Sequence, residues 1–217
     1  MPSASKRRAM ERGHRRRQMR TLGIAVALIG AVGIAAVVVN AFGGEEATDA
    51  GVSQTQPVTV TGEPLPVFGA EPDAAVGMAA PSLAGETFDG SPISITPGQG
   101  PMAIWFLAHW CPHCQAEVPR IVALAQQGKL PEGVLITAAS TGVDPTAPNY
   151  PPSAWLDAEG WTFPVMADDE NGTAATAYGL QGFPFLVLVD ADGNVTARSS
   201  GELGDDGIVA ALNSLVG

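Results

Sequence analysis

Met102 to Leu107 is an unbroken run of six apolar residues, and it limits the folds open to this chain more than any other stretch. The run is too short to span a membrane, and it has no polar alternation that would turn one face to water. It therefore reads as a central strand buried on both faces, which requires covering elements on each side of its sheet. Two further apolar runs, 134–139 and 185–189, read the same way. Between them, residues 112–127 read as a helix whose apolar face is Ala116, Val118, Ile121, Val122, Leu124 and Ala125, with Pro119 as a kink. Short helices are expected at 152–160 and 172–178, and a short strand at 164–167. The turn Asp190-Ala191-Asp192-Gly193-Asn194 leads to a return strand at 195–198, and Ile208, Val209, Leu212 and Leu215 give 205–216 a helical spacing. Ahead of the first run, 87–88 and 93–95 flank a hairpin turn at 89–92. The sum is an α/β fold, a mixed central sheet flanked by helices, with an N-terminal β-hairpin extension.

The remaining length fits one such domain and an extension: 217 residues, 46% hydrophobic and 15% charged, support a single core. Charge is unevenly spread. Eight of the eleven basic residues fall within the first 20 positions, whereas from residue 43 onward 3 basic residues stand against 21 acidic ones, a net −18. That field repels nucleic acid, so no nucleic-acid partner is expected. Residues 22–42 carry Asn40 as their only strongly polar side chain, and as a helix they extend over about 31 Å, close to the hydrocarbon thickness of a bilayer. A basic flank orients such a segment with the flank inside. The expectation is a basic cytoplasmic tail over 1–20 and a transmembrane signal anchor over 21–42, in contact with the lipid bilayer through 22–42. The rest would lie outside the cytoplasm at the cell membrane. The competing expectation is a cleaved signal, with Val39-Asn40-Ala41 as the cleavage site and Arg16-Arg17 as a weak twin-arginine match. Residues 43–75, rich in Gly, Ala, Glu, Pro and Thr, read as a flexible linker. Within it, Val58-Thr59-Val60-Thr61 is able to add an edge strand and Leu65-Pro66-Val67-Phe68 to dock in a groove. The folded domain is expected over 76–217.

The chemistry concentrates in Trp110-Cys111-Pro112-His113-Cys114, directly after the buried run and at the start of a helix. Cys111 and Cys114 are the only cysteines of the chain. A zinc site would need four ligands, and crowding His109 and His113 around the pair makes a closed tetrahedron awkward. A purely structural disulfide across so short a loop removes little unfolded-chain entropy. A redox dithiol explains the spacing better: Cys111 at the helix start lies near unpaired N–H groups that stabilise a thiolate, and Cys114 lies one turn on, placed to resolve a mixed disulfide. The turn 190–194 suggests calcium by its acids but lacks the remaining ligands of a calcium loop.

From Phe106 to Cys114, with Glu117 and Pro119 following, the sequence resembles the active-site helix of membrane-anchored thioredoxin-like proteins of the TlpA/ResA type. Gly182-Phe183-Pro184-Phe185, then Val187-Leu188-Val189-Asp190 and Asp192-Gly193, is similar to that family's cis-proline strand and closing hairpin. Pro81 after Val76-Gly77, and the Asp89-Gly90 hairpin, resemble its N-terminal extension, so the likeness covers about 76–216. It implies a thioredoxin-like fold, a cis bond before Pro184, and a Phe183 that faces the dithiol and offers backbone hydrogen bonds to a substrate strand. Trp110 resembles the flat aromatic beside the dithiol, an apolar landing surface. Pro112-His113 resembles the dipeptide of strongly oxidising, disulfide-introducing enzymes; a histidine there stabilises the Cys111 thiolate, hence the reduced form, and makes the disulfide a better oxidant. Trp105 stands where cytoplasmic thioredoxins carry a buried proton-accepting acid. Glu117 is the nearest acidic candidate for that role, although an exposed helix carboxylate is the plainer expectation. Ala108 stands where peroxiredoxins carry the Thr of T-x-x-C, which disfavours peroxidase chemistry.

The resulting expectation is an extracytoplasmic thiol-disulfide oxidoreductase. Cys111 and Cys114 are its redox-active pair, Pro112, His113 and Glu117 tune it, and Trp110, Phe183 and Pro184 bind substrate, with no metal and no cofactor beyond the disulfide itself. Its partners would be exported protein thiols or disulfides and a membrane or extracytoplasmic redox protein. The oxidant or isomerase direction is favoured. The alternatives are a reductant for cytochrome maturation or other exported thiols, and a non-enzymatic copper-handling domain using Cys111, Cys114 and a nearby histidine. His109 is expected to tune the thiolate, touch substrate or lie at the surface. Residues 141–152 form a proline-rich excursion whose Asn149-Tyr150 either borders the groove or serves structure.

Overall fold

The computed structural model describes residues 52–69 and 72–217. The basic tail, the apolar segment 22–42 and the first part of the linker lie outside the described residues. Among those described, no helix is long and apolar enough to cross a membrane.

The elements follow in the order β1 (Thr59–Thr61), β2 (Ser82–Glu86), β3 (Pro92–Ile95), β4 (Met102–Leu107), α1 (Pro112–Gln126), β5 (Leu135–Ser140), α2 (Pro152–Ala158), β6 (Val165–Ala167), α3 (Thr173–Ala177), β7 (Phe185–Val189), β8 (Val195–Ser200) and α4 (Gly204–Asn213). One sheet holds all eight strands in the order β1-β2-β6-β5-β4-β7-β8, with β3 also paired to β2. β4 lies at its centre, parallel to β5 and antiparallel to β7. β3 pairs along Leu83 to Glu86, so β1 and β6 meet the other edge of β2 end to end.

The apolar runs are buried on both faces because alternate side chains enter different cores. On one side Ala103, Trp105, Leu107, Leu186 and Leu188 pack against Val118 and Ile121 of α1, Trp155 and Leu156 of α2, and Ile208 and Leu212 of α4. On the other, Met102, Ile104, Phe106, Phe185, Val187 and Val189 pack against α3, Tyr178, Leu83 and Ile95. Each fully buried large side chain contributes roughly 1.5–3 kcal/mol relative to exposure. Pro119 sits within α1 without ending it.

Residues 52–69 depart from the flexible linker expected over 43–75. Val58 to Thr61 does add a strand, β1, on β2. Leu65 docks, 4% exposed, in the second core, and Phe68 meets Phe185 edge-on at 5.5 Å. The segment is clamped by Arg198, which donates from Nε to Asp73 at 2.9 Å and from Nη1 to the carbonyls of Pro66 and Tyr178 at 2.8 and 2.9 Å. The Arg198 guanidinium holds the Asp73 carboxyl below the usual carboxylate range. Gly179 completes the clamp: its φ is +71°, and a Cβ there would lie 2.3 Å from the Pro66 carbonyl oxygen. Low mean apolarity made 52–69 look unstructured; a few anchors spaced along it suffice to pin it.

Candidate active site

β4 delivers the chain to the start of α1, and there the two cysteines lie. Cys111 is the N-cap residue, extended at φ −76°, ψ 119°, and Pro112 fills the first turn, where its missing N–H costs no hydrogen bond. Cys111 is 6% exposed; Cys114 is wholly buried, and both are free thiols. The Cys111 thiol points at the carbonyl oxygen of Phe183, 3.7 Å away, and the Phe183–Pro184 bond is cis. The fold therefore brings together the dithiol, Phe183 and Pro184, which are separated by about seventy residues of sequence.

Trp110 and Phe183 meet edge to face at 5.6 Å. The Trp110 indole N–H donates to the Gly142 carbonyl at 2.6 Å. Gly142, at φ +63°, brings the backbone close beneath both rings, and a Cβ there would already touch Phe183 at 3.5 Å.

The plainer expectation for Glu117, an exposed carboxylate, is overturned: it is 1% exposed. Its Oε1 accepts from the Trp105 indole at 3.1 Å and its Oε2 from the Leu203 backbone N–H at 2.6 Å. The residue that replaces the usual buried acid thus holds a different buried acid in place. Burial pushes the Glu117 carboxyl up, and the Leu203 and Trp105 donors offset part of that rise. Burial likewise pushes the Cys114 thiol up, and the nearby Cys111 and Glu117 raise it further. Cys114 is therefore a neutral thiol that needs a base at the moment it acts, and the Glu117 carboxyl lies within electrostatic reach.

His113 faces outward, its side chain 64% exposed, and its Nδ1 lies 2.6 Å from Oε1 of Glu202, whose other oxygen lies 3.9 Å from Arg120. His109 is not at the surface: it is wholly buried, with Nδ1 2.8 Å from the Pro148 carbonyl and Nε2 accepting the Asp144 N–H at 3.2 Å. Both of its ring nitrogens are thus engaged with the 141–151 loop. Among the described residues no cluster of three or more potential ligands is assembled. Glu202, Leu203 and Gly142 are the site residues that sequence reasoning missed. Each is in a loop remote from the cysteines, and none carries a local signal.

These features define a dithiol oxidoreductase built on a thioredoxin-like fold. A model of the Redoxin family matches residues 75–213, and the chain belongs to that family, as a thiol-disulfide oxidoreductase of the TlpA/ResA/DsbE type. It is 30% identical over 136 residues to a thiol:disulfide interchange protein DsbE homolog of Paracoccus denitrificans, covering 61% of this chain and 70% of that one. A DsbE protein of Pasteurella multocida is 29% identical over 100 residues, 46% of this chain and 49% of its own, so the chain spans about half of that relative. The soluble secreted antigen MPT53 of Mycobacterium tuberculosis is 30% identical over 150 residues, 65% of this chain and 78% of its own. Among solved structures, a thiol:disulfide interchange protein of the thioredoxin family from Chlorobium tepidum matches with a TM-score of 0.50 and 25% identity over 64% of this chain and 96% of its own. The thioredoxin domain of a Bacteroides vulgatus thiol-disulfide oxidoreductase matches at TM-score 0.52 and 20% identity, over 66% and 99%, which speaks for the fold.

Proposed function

We propose that this oxidoreductase exchanges disulfides with exported proteins outside the cytoplasm, held at the membrane through residues 22–42, and that it acts as an oxidant or isomerase. The observation that carries the reading is the Cys111 thiol at the start of α1, against the Phe183 carbonyl beside cis-Pro184, with His113 next to the buried Cys114. An extended substrate strand lying along Phe183 brings its disulfide or thiol to Cys111. Where the protein is reduced, the Cys111 thiolate attacks a substrate disulfide, forming one S–S bond and releasing one substrate thiolate. Cys114 then loses its proton to Glu117 and attacks Cys111, releasing the second substrate thiolate and leaving Cys111–Cys114 oxidised. Oxidation of a substrate dithiol is this sequence in reverse. The names of the relatives, thiol:disulfide interchange protein and secreted antigen, support an extracytoplasmic role.

One observation favours the second reading, a reductant of apo-cytochromes or other exported thiols. Glu202 sits on the His113 imidazole and cancels part of the positive field that would favour the thiolate. Equilibrating the full-length chain against glutathione buffers separates the two. A potential towards about −120 mV supports the oxidant, whereas one near or below about −270 mV replaces it with the reductant. Deleting residues 1–42 is expected to move the protein from the membrane to the soluble fraction, and retention in the membrane would overturn the anchor.

A further inference from the structure

The loop after β5, residues 141–151, lies against Trp110 and Phe183 beside the dithiol, and what holds it there is a buried histidine. The chain immediately before the cysteines makes four polar contacts to its surroundings through one residue. His109 places Nδ1 2.8 Å from the Pro148 carbonyl and Nε2 3.2 Å from the Asp144 N–H. Its own carbonyl accepts from Asn149 Nδ2 at 3.3 Å and from Gln115 Nε2 of α1 at 3.0 Å. A nitrogen facing a carbonyl must donate and one facing an N–H must accept, so the ring is the neutral tautomer protonated at Nδ1. Tyr150 packs edge-on against the same ring at 6.0 Å. On its other flank the loop is tied to the neighbouring residue by the Trp110 indole bonded to Gly142. Without these ties the loop has little to hold it: from Gly142 to Tyr150 no residue is buried.

We propose that His109 is a positioning residue that fixes the 141–151 loop beside Trp110 and Phe183 as part of the surface that receives a substrate strand. It thereby favours a protein strand, long enough to rest on that loop while it reacts at Cys111, over a small disulfide that meets Cys111 alone. The inference rests on the reading that exported proteins are the substrates. It assigns His109 no part in the chemistry at sulfur.

The test is made in the full-length chain with two substrates, a disulfide-bonded reporter protein and glutathione disulfide. His109→Phe keeps a ring but loses both side-chain bonds. KM for the reporter is expected to rise about tenfold with kcat within about twofold, and the Asp144 amide is expected to lose its protection from hydrogen exchange while α1 keeps its own. His109→Gln, whose amide still has one donor and one acceptor, is expected to return KM to within about threefold of the original. Should His109→Phe fail to fold, Asn149→Gly, at an exposed position with φ 60° that glycine adopts freely, is expected to raise KM about threefold. An unchanged KM for the reporter, with exchange intact, would overturn the positioning role. So would an altered equilibrium with glutathione in His109→Phe, since that would assign the imidazole to the thiol. Failure of the unsubstituted protein to react with the reporter while it reacts with glutathione disulfide would overturn both this inference and the proposed substrates.

Discussion

Two buried carboxylates, Glu117 under the dithiol and Asp168 at the end of β6, have the same burial and the same direction of titration but different surroundings. Glu117 is 1% exposed and Asp168 0%, and burial pushes both carboxyls up. Asp168 accepts the backbone N–H groups of Asp169, Ala174 and Ala175 at 2.9, 2.8 and 3.2 Å. A carboxylate has about four lone-pair sites, and these three backbone donors take up most of them. Asp168 thus ties the start of α3 to the end of β6. Glu117 has two donors, Trp105 and Leu203, and keeps capacity to take a proton beside a buried thiol. A raised carboxyl is therefore a poor marker of function by itself; what marks Glu117 is its unfilled valence and its neighbour.

The comparison is broken most completely by removing the thiol whose proton we propose Glu117 takes. Cys114→Ser is expected to abolish turnover and to accumulate Cys111 mixed disulfides, visible by mass spectrometry of the trapped adducts. Glu117→Gln is expected to slow resolution of the mixed disulfide about a hundredfold. In the unsubstituted protein, resolution should slow as pH falls through the Glu117 titration, because the neutral acid accepts no proton. Burial makes that fall begin at higher pH than an exposed glutamate would give, and Glu117→Gln should flatten it; a persisting acid limb would assign the base elsewhere. Asp168→Asn turns one acceptor into a donor facing backbone N–H groups. It is expected to cost about 2 kcal/mol in urea unfolding, while resolution stays within about twofold. The sign of its pH dependence follows from the raised carboxyl: the contribution to stability is present below the ordinary carboxylate range and lost as pH rises through the folded-state titration, and Asp168→Asn removes that loss. The smallest effect belongs to Glu202→Gln. The Glu202 charge helps to raise Glu117, so the acid limb of resolution should move to lower pH, and only slightly, because Glu202 is partly exposed and screened.

Much of this was legible from local pattern. β4 and β7 match the expected residues, and the helices and the other strands from β5 onward differ by one to three residues at their ends. The hairpin ahead of β4 is there, but its first arm is β2 at Ser82–Glu86 and not the expected 87–88. Ser82-Leu83-Ala84-Gly85-Glu86 has almost no strand propensity and buries only Leu83; it is a strand because β1, β3 and β6 all pair with it. In the strap at 52–69 the strand and the docking residues Leu65 to Phe68 are legible as possibilities, but composition favours a linker, because Leu65 and Phe68 gain their energy from a core that local composition does not reveal. In the site, Cys111, Cys114, Trp110 and the helix start are one contiguous motif, and period and residue type suffice to find it.

What the sequence determined by itself is the chemistry: two thiols three apart at the opening of a helix, behind a strand buried on both faces. Periodicity and helix geometry are local and survive without knowledge of the rest of the chain. The tertiary structure decided how that chemistry is served. It set Phe183 and Pro184 against Cys111, aimed Trp105 and Leu203 at Glu117, placed Glu202 on His113, and buried His109 under a loop about forty residues away in sequence. Those contacts are pairings across sheet edges and loop ends, and no local spacing encodes them, because a hydrogen bond's partner is chosen by where the backbone returns, not by what lies next to it in the chain.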